Sequence, residues 1–156
     1  VPDTPAPPFA VQRLDHVVLR VADLARAIDF YQRVLGCAVA RRNEAAGLVH
    51  LRAGASMIDL VALDGPIGQQ GGAGPAAEGR NVDHFCLRVE PFDEAALLAH
   101  LARHDVPCSS HAKPLFGAEG TGPAVYLRDP DGNPVELKGP ATADRPGDAP
   151  AGGDAP

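Results

Sequence analysis

Over Leu14 to Val21 the chain alternates with period two. Val17, Leu19 and Val21 fall on one face and His16, Val18 and Arg20 on the other, which predicts a strand. The period then lengthens. Asp23 stands where a helix N-cap is needed, and Leu24, Ala27, Ile28, Tyr31, Val34 and Leu35 recur at helical spacing. Gly36 ends that helix with the left-handed conformation a glycine adopts freely. Three short strands are predicted next, at Cys37–Arg41, Leu48–Arg52 and Met57–Leu63. The glycine-rich stretch 64–80 has little to bury and reads as a connection. After it the pattern restarts with a strand at Val82–Val89 and a helix capped by Asp93 that carries Leu97, Leu98 and Leu101. A break at Val106-Pro107 precedes strands at Pro107–Ser110, Ala124–Arg128 and Pro134–Lys138. The last two are joined by Asp129-Pro130-Asp131-Gly132-Asn133, a tight-turn composition.

The two halves share residues as well as order. Asp15-His16-Val17-Val18-Leu19-Arg20-Val21 and Asp83-His84-Phe85-Cys86-Leu87-Arg88-Val89 differ only at their third and fourth positions. Two copies at this spacing indicate a duplicated supersecondary unit rather than a solenoid. The expected fold is an α+β domain over 11–140, built of paired βαβββ modules at about 13–63 and 82–140 with the 64–80 linker between them. The proline-rich residues 1–10 and the Ala, Gly, Pro and Asp run at 141–156 lack the aliphatic content to offset ordering entropy, and are expected to be flexible tails.

Chemistry enters at the closing strand of each module. Met57-Ile58-Asp59-Leu60 and Pro134-Val135-Glu136-Leu137 each set one carboxylate between two aliphatic residues, so the acid faces away from the core. With helices covering the aliphatic faces, the opposite faces of a cupped sheet would carry His16, Asp59, His84 and Glu136 around a cleft. The remaining histidines offer less. His100 and His104 lie at i and i+4 on the second helix, a solvated flank, and His50 and His111 have no partner visible in the sequence. The Asp129–Asn133 run opens like a calcium loop, but Pro140 stands at the twelfth position, where a bidentate glutamate belongs.

A net charge of −6 without a basic stripe argues against nucleic acid, and no apolar run reaches the length of a membrane span. The first ten residues contain no secretory core. Cys37, Cys86 and Cys108 are an odd number without metal-site spacing, which reads as reduced thiols in a cytoplasmic protein.

Taken together, the paired Asp-His strand starts, Phe30-Tyr31-x-x-Val34-Leu35-Gly36, and Asp129-Pro130-Asp131-Gly132-Asn133 followed by Val135-Glu136-Leu137 resemble the vicinal oxygen chelate superfamily. That superfamily takes in glyoxalase I, extradiol dioxygenases, fosfomycin-resistance enzymes and bleomycin-resistance proteins. The resemblance implies a homodimer and a divalent metal (Ni, Co, Zn, Mn or Fe). The ligands it implies are His16, His84 and Glu136, with Asp59 at the position of a fourth ligand that is usually glutamate. It also implies a substrate-binding role for Arg20, which matches an arginine that holds a glutathione carboxylate in glyoxalase I. Tyr126 similarly matches an active-site tyrosine of extradiol dioxygenases.

The leading expectation is a glyoxalase-type lyase or isomerase acting on a small substrate with vicinal oxygens, with Glu136 or Asp59 as the base. An Fe(II) ring-cleaving dioxygenase and a metal-free drug-binding protein are the alternatives. The scarcity of aromatic residues, two tyrosines, five phenylalanines and no tryptophan, weighs against the last.

Overall fold

The computed structural model describes residues 10–76, 78 and 80–142. The expected tails therefore lie almost wholly outside the described residues. Within them, Thr142 donates from its backbone amide to the Thr121 carbonyl at 2.7 Å.

Module 1 runs β1 (His16–Val21), α1 (Leu24–Arg33), β2 (Ala38–Asn43), β3 (Leu48–Ala53) and β4 (Ser56–Ala62). Module 2 runs β5 (Phe85–Arg88), α2 (Glu94–Arg103), β6 (Lys113–Gly117), β7 (Gly120–Arg128) and β8 (Pro134–Lys138). Each forms its own four-stranded mixed sheet, in the order β1-β4-β3-β2 and β5-β8-β7-β6. The opening strand pairs in parallel with the closing one, and the others are antiparallel. This is the paired βαβββ architecture.

The helices start where the caps place them. The Asp23 side chain accepts from the Arg26 amide at 3.0 Å, and Asp93 accepts from Ala96 at 3.0 Å. Each cap supplies an acceptor to a first-turn amide that has no partner inside the helix. Gly36 takes φ +69° just past α1, as a left-handed stop requires.

Three boundaries differ from expectation. The second opening strand begins only at Phe85, so His84 sits at its threshold. Pro107–Ser110 contributes no strand, only an isolated bridge from Cys108 to Leu127. The third strand of module 2 is instead Lys113–Gly117, which pairs with Ala124–Gly120. Its own sequence, with a proline second and a glycine last, has no clear alternation, so pairing with β7 is what makes it a strand.

One apolar core spans both modules. Val21, Ala27, Tyr31, Leu51, Ile58 and Leu60 of the first join Leu101, Val125, Leu127, Val135 and Leu137 of the second. Polar ties reinforce the join at the β7–β8 turn. Tyr31 donates its hydroxyl to Asp129 Oδ2 at 2.8 Å, the Ala22 amide donates to Asp131 at 2.8 Å, and the Arg26 guanidinium donates to the Pro130 carbonyl. Asp129 is buried and also accepts from the Asp131 and Asn133 amides and from the Asn133 side chain. Burial and the neighbouring Asp129 charge push the Tyr31 hydroxyl far above its usual pKa, so it stays a donor. The run that opens like a calcium loop is thus an internally satisfied clasp. No helix among the described residues is long and apolar enough to cross a membrane.

Candidate metal-binding half-sites

The strand registers bring the ionisable residues together in two groups. In module 1, β3 and β4 place His50 directly opposite Asp59. In module 2, β7 and β8 place Tyr126 directly opposite Glu136, and β5 and β8 place Cys86 beside Glu136. His16 and His84 stand at the entrances of β1 and β5. The groups are therefore His16–Asp59–His50 and His84–Glu136–Tyr126, related by the internal repeat.

Both entrance histidines are held in the same way. His16 Nδ1 lies 2.8 Å from Asp15 Oδ1, and His84 Nδ1 lies 2.7 Å from Asp83 Oδ2. A carboxylate on Nδ1 fixes the tautomer that leaves Nε2 with its lone pair, the usual preparation of an imidazole for metal binding. The hydrogen bond to Asp15 raises the pKa of His16, with the Asp59 charge adding to it, while Asp15 is lowered.

The carboxylates are buried. Asp59 is 6% exposed and Glu136 5%. His50 Nδ1 lies 2.9 Å from Asp59 Oδ1, an ion-pair distance, yet the two are too poorly aligned for a hydrogen bond, and this buried oxygen has no hydrogen-bond partner. An oxygen taken out of water and left without a donor is costly unless a cation meets it. Glu136 Oε2 has a donor, the Tyr126 hydroxyl at 2.9 Å, and His84 Nε2 lies 3.1 Å from the same oxygen. The Tyr126 ring meets His84 edge-on, with centroids 5.2 Å apart. Burial, with the bond to Glu136, pushes the Tyr126 hydroxyl up to about 12. Burial, with the Glu136 charge, pushes the Cys86 thiol up to about 11. Both stay protonated at neutral pH.

These donors fit a divalent metal: two prepared imidazoles, one orphaned carboxylate oxygen and a second buried carboxylate make a mixed nitrogen and oxygen set. They are not assembled in one place within the chain. Among the described residues no three His, Cys, Asp or Glu side chains come within reach of a single ion. His16 and His84 open onto one groove of about 840 Å³ between β1 and β5, which Asp59 and Glu136 do not line. The four residues expected around a single cleft lie in two groups in the structure, and of the four His16 and His84 alone line the groove.

Arg20 lies elsewhere. Its guanidinium donates to the carbonyls of Gly68 at 2.9 Å, Gly71 at 3.0 Å, Gly72 at 2.5 Å and Ala73 at 3.2 Å, which pins the linker to β1. A β-carbon on Gly71 would come within 2.6 Å of that guanidinium. Four of the five donors are spent on backbone, so Arg20 anchors the linker in this structure. Arg88, its repeat mate, is engaged by Glu119 at 2.8 Å and Glu90 at 3.1 Å.

His50 is the residue that sequence reasoning missed. Its only signal is parity, since Val49 and Leu51 face the core and put His50 on the other side. Pairing it with Asp59 needs the register. His100 donates from Nε2 to the Val34 carbonyl just past α1 at 2.8 Å, and His111 lies 3.7 Å from Glu94. Neither joins a half-site.

The Glyoxalase/Bleomycin resistance protein/Dioxygenase superfamily model matches residues 13–137. A lactoylglutathione lyase of Shigella flexneri is 30% identical over 129 residues, 80% of this chain and 90% of that protein. A virulence protein of Salmonella typhimurium is 28% identical over 128 residues, 81% of this chain and 83% of its own. An integron cassette protein of V. cholerae superposes with a TM-score of 0.66 at 28% identity, over 84% of this chain and 97% of that one.

Proposed function

Because this chain belongs to the Glyoxalase/Bleomycin resistance protein/Dioxygenase superfamily, we propose that it is a metal-dependent lyase or isomerase of glyoxalase type. Its substrate is a small molecule presenting two adjacent oxygens. The observation that carries the reading is a repeated set of donors, one carboxylate-held imidazole and one buried acid in each module, His16 and Asp59 in the first and His84 and Glu136 in the second. The 30% identity to a lactoylglutathione lyase supports it.

In this proposal His16 and Asp59 of one protomer and His84 and Glu136 of a second hold one divalent ion, Ni, Co, Zn, Mn or Fe, in a homodimer. Two features support the division. Each half-site offers only one usable acid and one imidazole held by a neighbouring aspartate, and among the described residues the outer edges of β1 and β5 are unpaired, flanked by the exposed apolar side chains of Leu14, Val18 and Val82. When bound, the metal supplies Lewis acidity toward the two substrate oxygens.

The chain does the rest. Asp15 and Asp83 keep the Nε2 lone pairs presented. Glu136 accepts the proton from substrate carbon, and the Tyr126 hydroxyl holds its Oε2 in position. Asp59, with His50 against it, takes the matching place on the other side. Asp59 is one methylene shorter than the glutamate usual there, and its buried Oδ1 has no hydrogen-bond partner.

The test pairs the hemithioacetal of methylglyoxal and glutathione, assayed with Ni²⁺ or Zn²⁺, with catechol assayed under Fe²⁺. Hemithioacetal turnover is expected, and Asp59→Asn is expected to lower it about a hundredfold or more. Fe²⁺-dependent catechol cleavage that survives Asp59→Asn assigns the dioxygenase reading instead, with Tyr126 beside the metal.

A further inference from the structure

The internal repeat is broken at one buried position. Aligning the two closing strands on Asp59 and Glu136 sets Val61 against Lys138. In module 1 Val61 stands opposite Leu48, an apolar pair that the fold tolerates without any charge. In module 2 Lys138 stands opposite Ala124 and is only 6% exposed. The architecture therefore does not require a lysine here. Burying one costs several kcal/mol of lost hydration unless an opposite charge meets it.

No such charge is present among the described residues: no carboxylate lies within 4.0 Å of the Lys138 ammonium. Its partners are two backbone carbonyls, Leu115 at 2.6 Å and Gly122 at 3.4 Å. An ammonium carries three donors, so one is left over. The surroundings are shaped to admit the long side chain. A β-carbon on Gly117 would lie 2.8 Å from Lys138 Cε, and one on Gly122 would lie 3.1 Å from Nζ. Both glycines keep the sheet face bare where the lysine crosses β7 toward β6.

A second cation shares the row. Lys113 pairs with Ala124 from the other side, so Lys113, Ala124 and Lys138 lie side by side on one face. Lys113 is exposed and has no ion pair among the described residues. The row ends at Arg88, already neutralised by Glu119 and Glu90. It lies two residues along β8 from Glu136, about 6.6 Å at strand spacing. In a chain of net charge −6, two lysines without an ion pair among the described residues concentrate positive charge beside a candidate half-site.

We propose that Lys138, with Lys113 across Ala124, forms an oxyanion subsite that binds a carboxylate or phosphate group on the non-reacting end of the substrate. This deepens the glyoxalase-type reading and rests on it for the word substrate. The subsite itself is testable without metal or turnover.

The probes are inorganic phosphate and acetate, titrated into the whole chain and into Lys138→Met. Methionine is chosen because it is unbranched and apolar at a position whose repeat mate is valine. The wild type is expected to gain thermal midpoint with rising anion concentration, as a ligand of the folded state must cause. Lys138→Met is expected to bind the same anion at least about tenfold more weakly, with an anion-free midpoint equal to or above the wild type. A response to phosphate alone assigns a phosphate-bearing substrate, and an equal response to acetate assigns a carboxylate.

A wild type that responds to neither anion overturns the proposal. So does a variant that keeps wild-type anion affinity but loses several degrees of midpoint, which would make Lys138 a staple between β8 and the β6–β7 hairpin. Should the variant fail to fold, amide chemical shifts of the wild type decide. Anion is expected to move Leu115, Gly117 and Gly122 and to leave His50 and Leu51 in place, and unmoved hairpin amides contradict the subsite.

Discussion

Glu136→Ala is expected to lower divalent-metal affinity by more than about a hundredfold, a larger loss than removal of a supporting residue causes. The change deletes one oxygen donor and also strips the half-site around it. Tyr126 loses the acceptor of its 2.9 Å hydrogen bond, and His84 Nε2 loses the carboxylate 3.1 Å away. The fold should survive, because Glu136 faces away from the core that Val135 and Leu137 fill. Competition for Zn²⁺ against a chromophoric chelator, with far-ultraviolet circular dichroism as the check on folding, measures both. A folded variant with full metal occupancy would contradict the assignment of Glu136.

Asp129→Ala carries the largest expected effect on stability, a loss of about 3–5 kcal/mol. This carboxylate is 5% exposed and accepts from four donors: the Tyr31 hydroxyl, the amides of Asp131 and Asn133, and the Asn133 side chain. Alanine leaves the buried Tyr31 hydroxyl without a partner and releases the turn that ties β7 and β8 to the start of α1. Asp129→Asn keeps the size and one acceptor oxygen, and should lose roughly half as much. Urea unfolding followed by circular dichroism gives both values. A loss below about 1 kcal/mol for the alanine variant would show that the clasp is not what joins the modules.

Much of this architecture is legible in the sequence, for identifiable reasons. The caps at Asp23 and Asp93 and the stop at Gly36 are local chemistry, so they stand where the residues place them. The alternation of Val17, Leu19 and Val21 against His16 and Arg20 survives because β1 buries only one face. What was hidden depends on partners far along the chain. β6 has no pattern of its own and exists through β7. The partner of His50 follows from the register of β3 on β4, which no spacing rule supplies. The donors of Arg20 end on carbonyls about fifty residues away, and backbone oxygens leave no trace in a side-chain pattern. The same limit applies to the half-sites. The sequence marks His16, Asp59, His84 and Glu136 as equivalent positions of a repeat, but not that each module holds its own pair apart from the other.

The division of the metal site between two protomers is tested most directly by complementation. One variant carries His16→Ala with Asp59→Ala, which destroys the module 1 half-site, and the other carries His84→Ala with Glu136→Ala, which destroys that of module 2. Each is purified alone and then co-expressed with the other under two different affinity tags, and metal is measured in the doubly tagged species. A site shared across the dimer leaves both parents metal-free. It gives the mixed species one ion per dimer, because one module 1 half-site and one module 2 half-site remain intact and face each other. A mixed species as empty as its parents would place the whole site within a single chain and contradict the account.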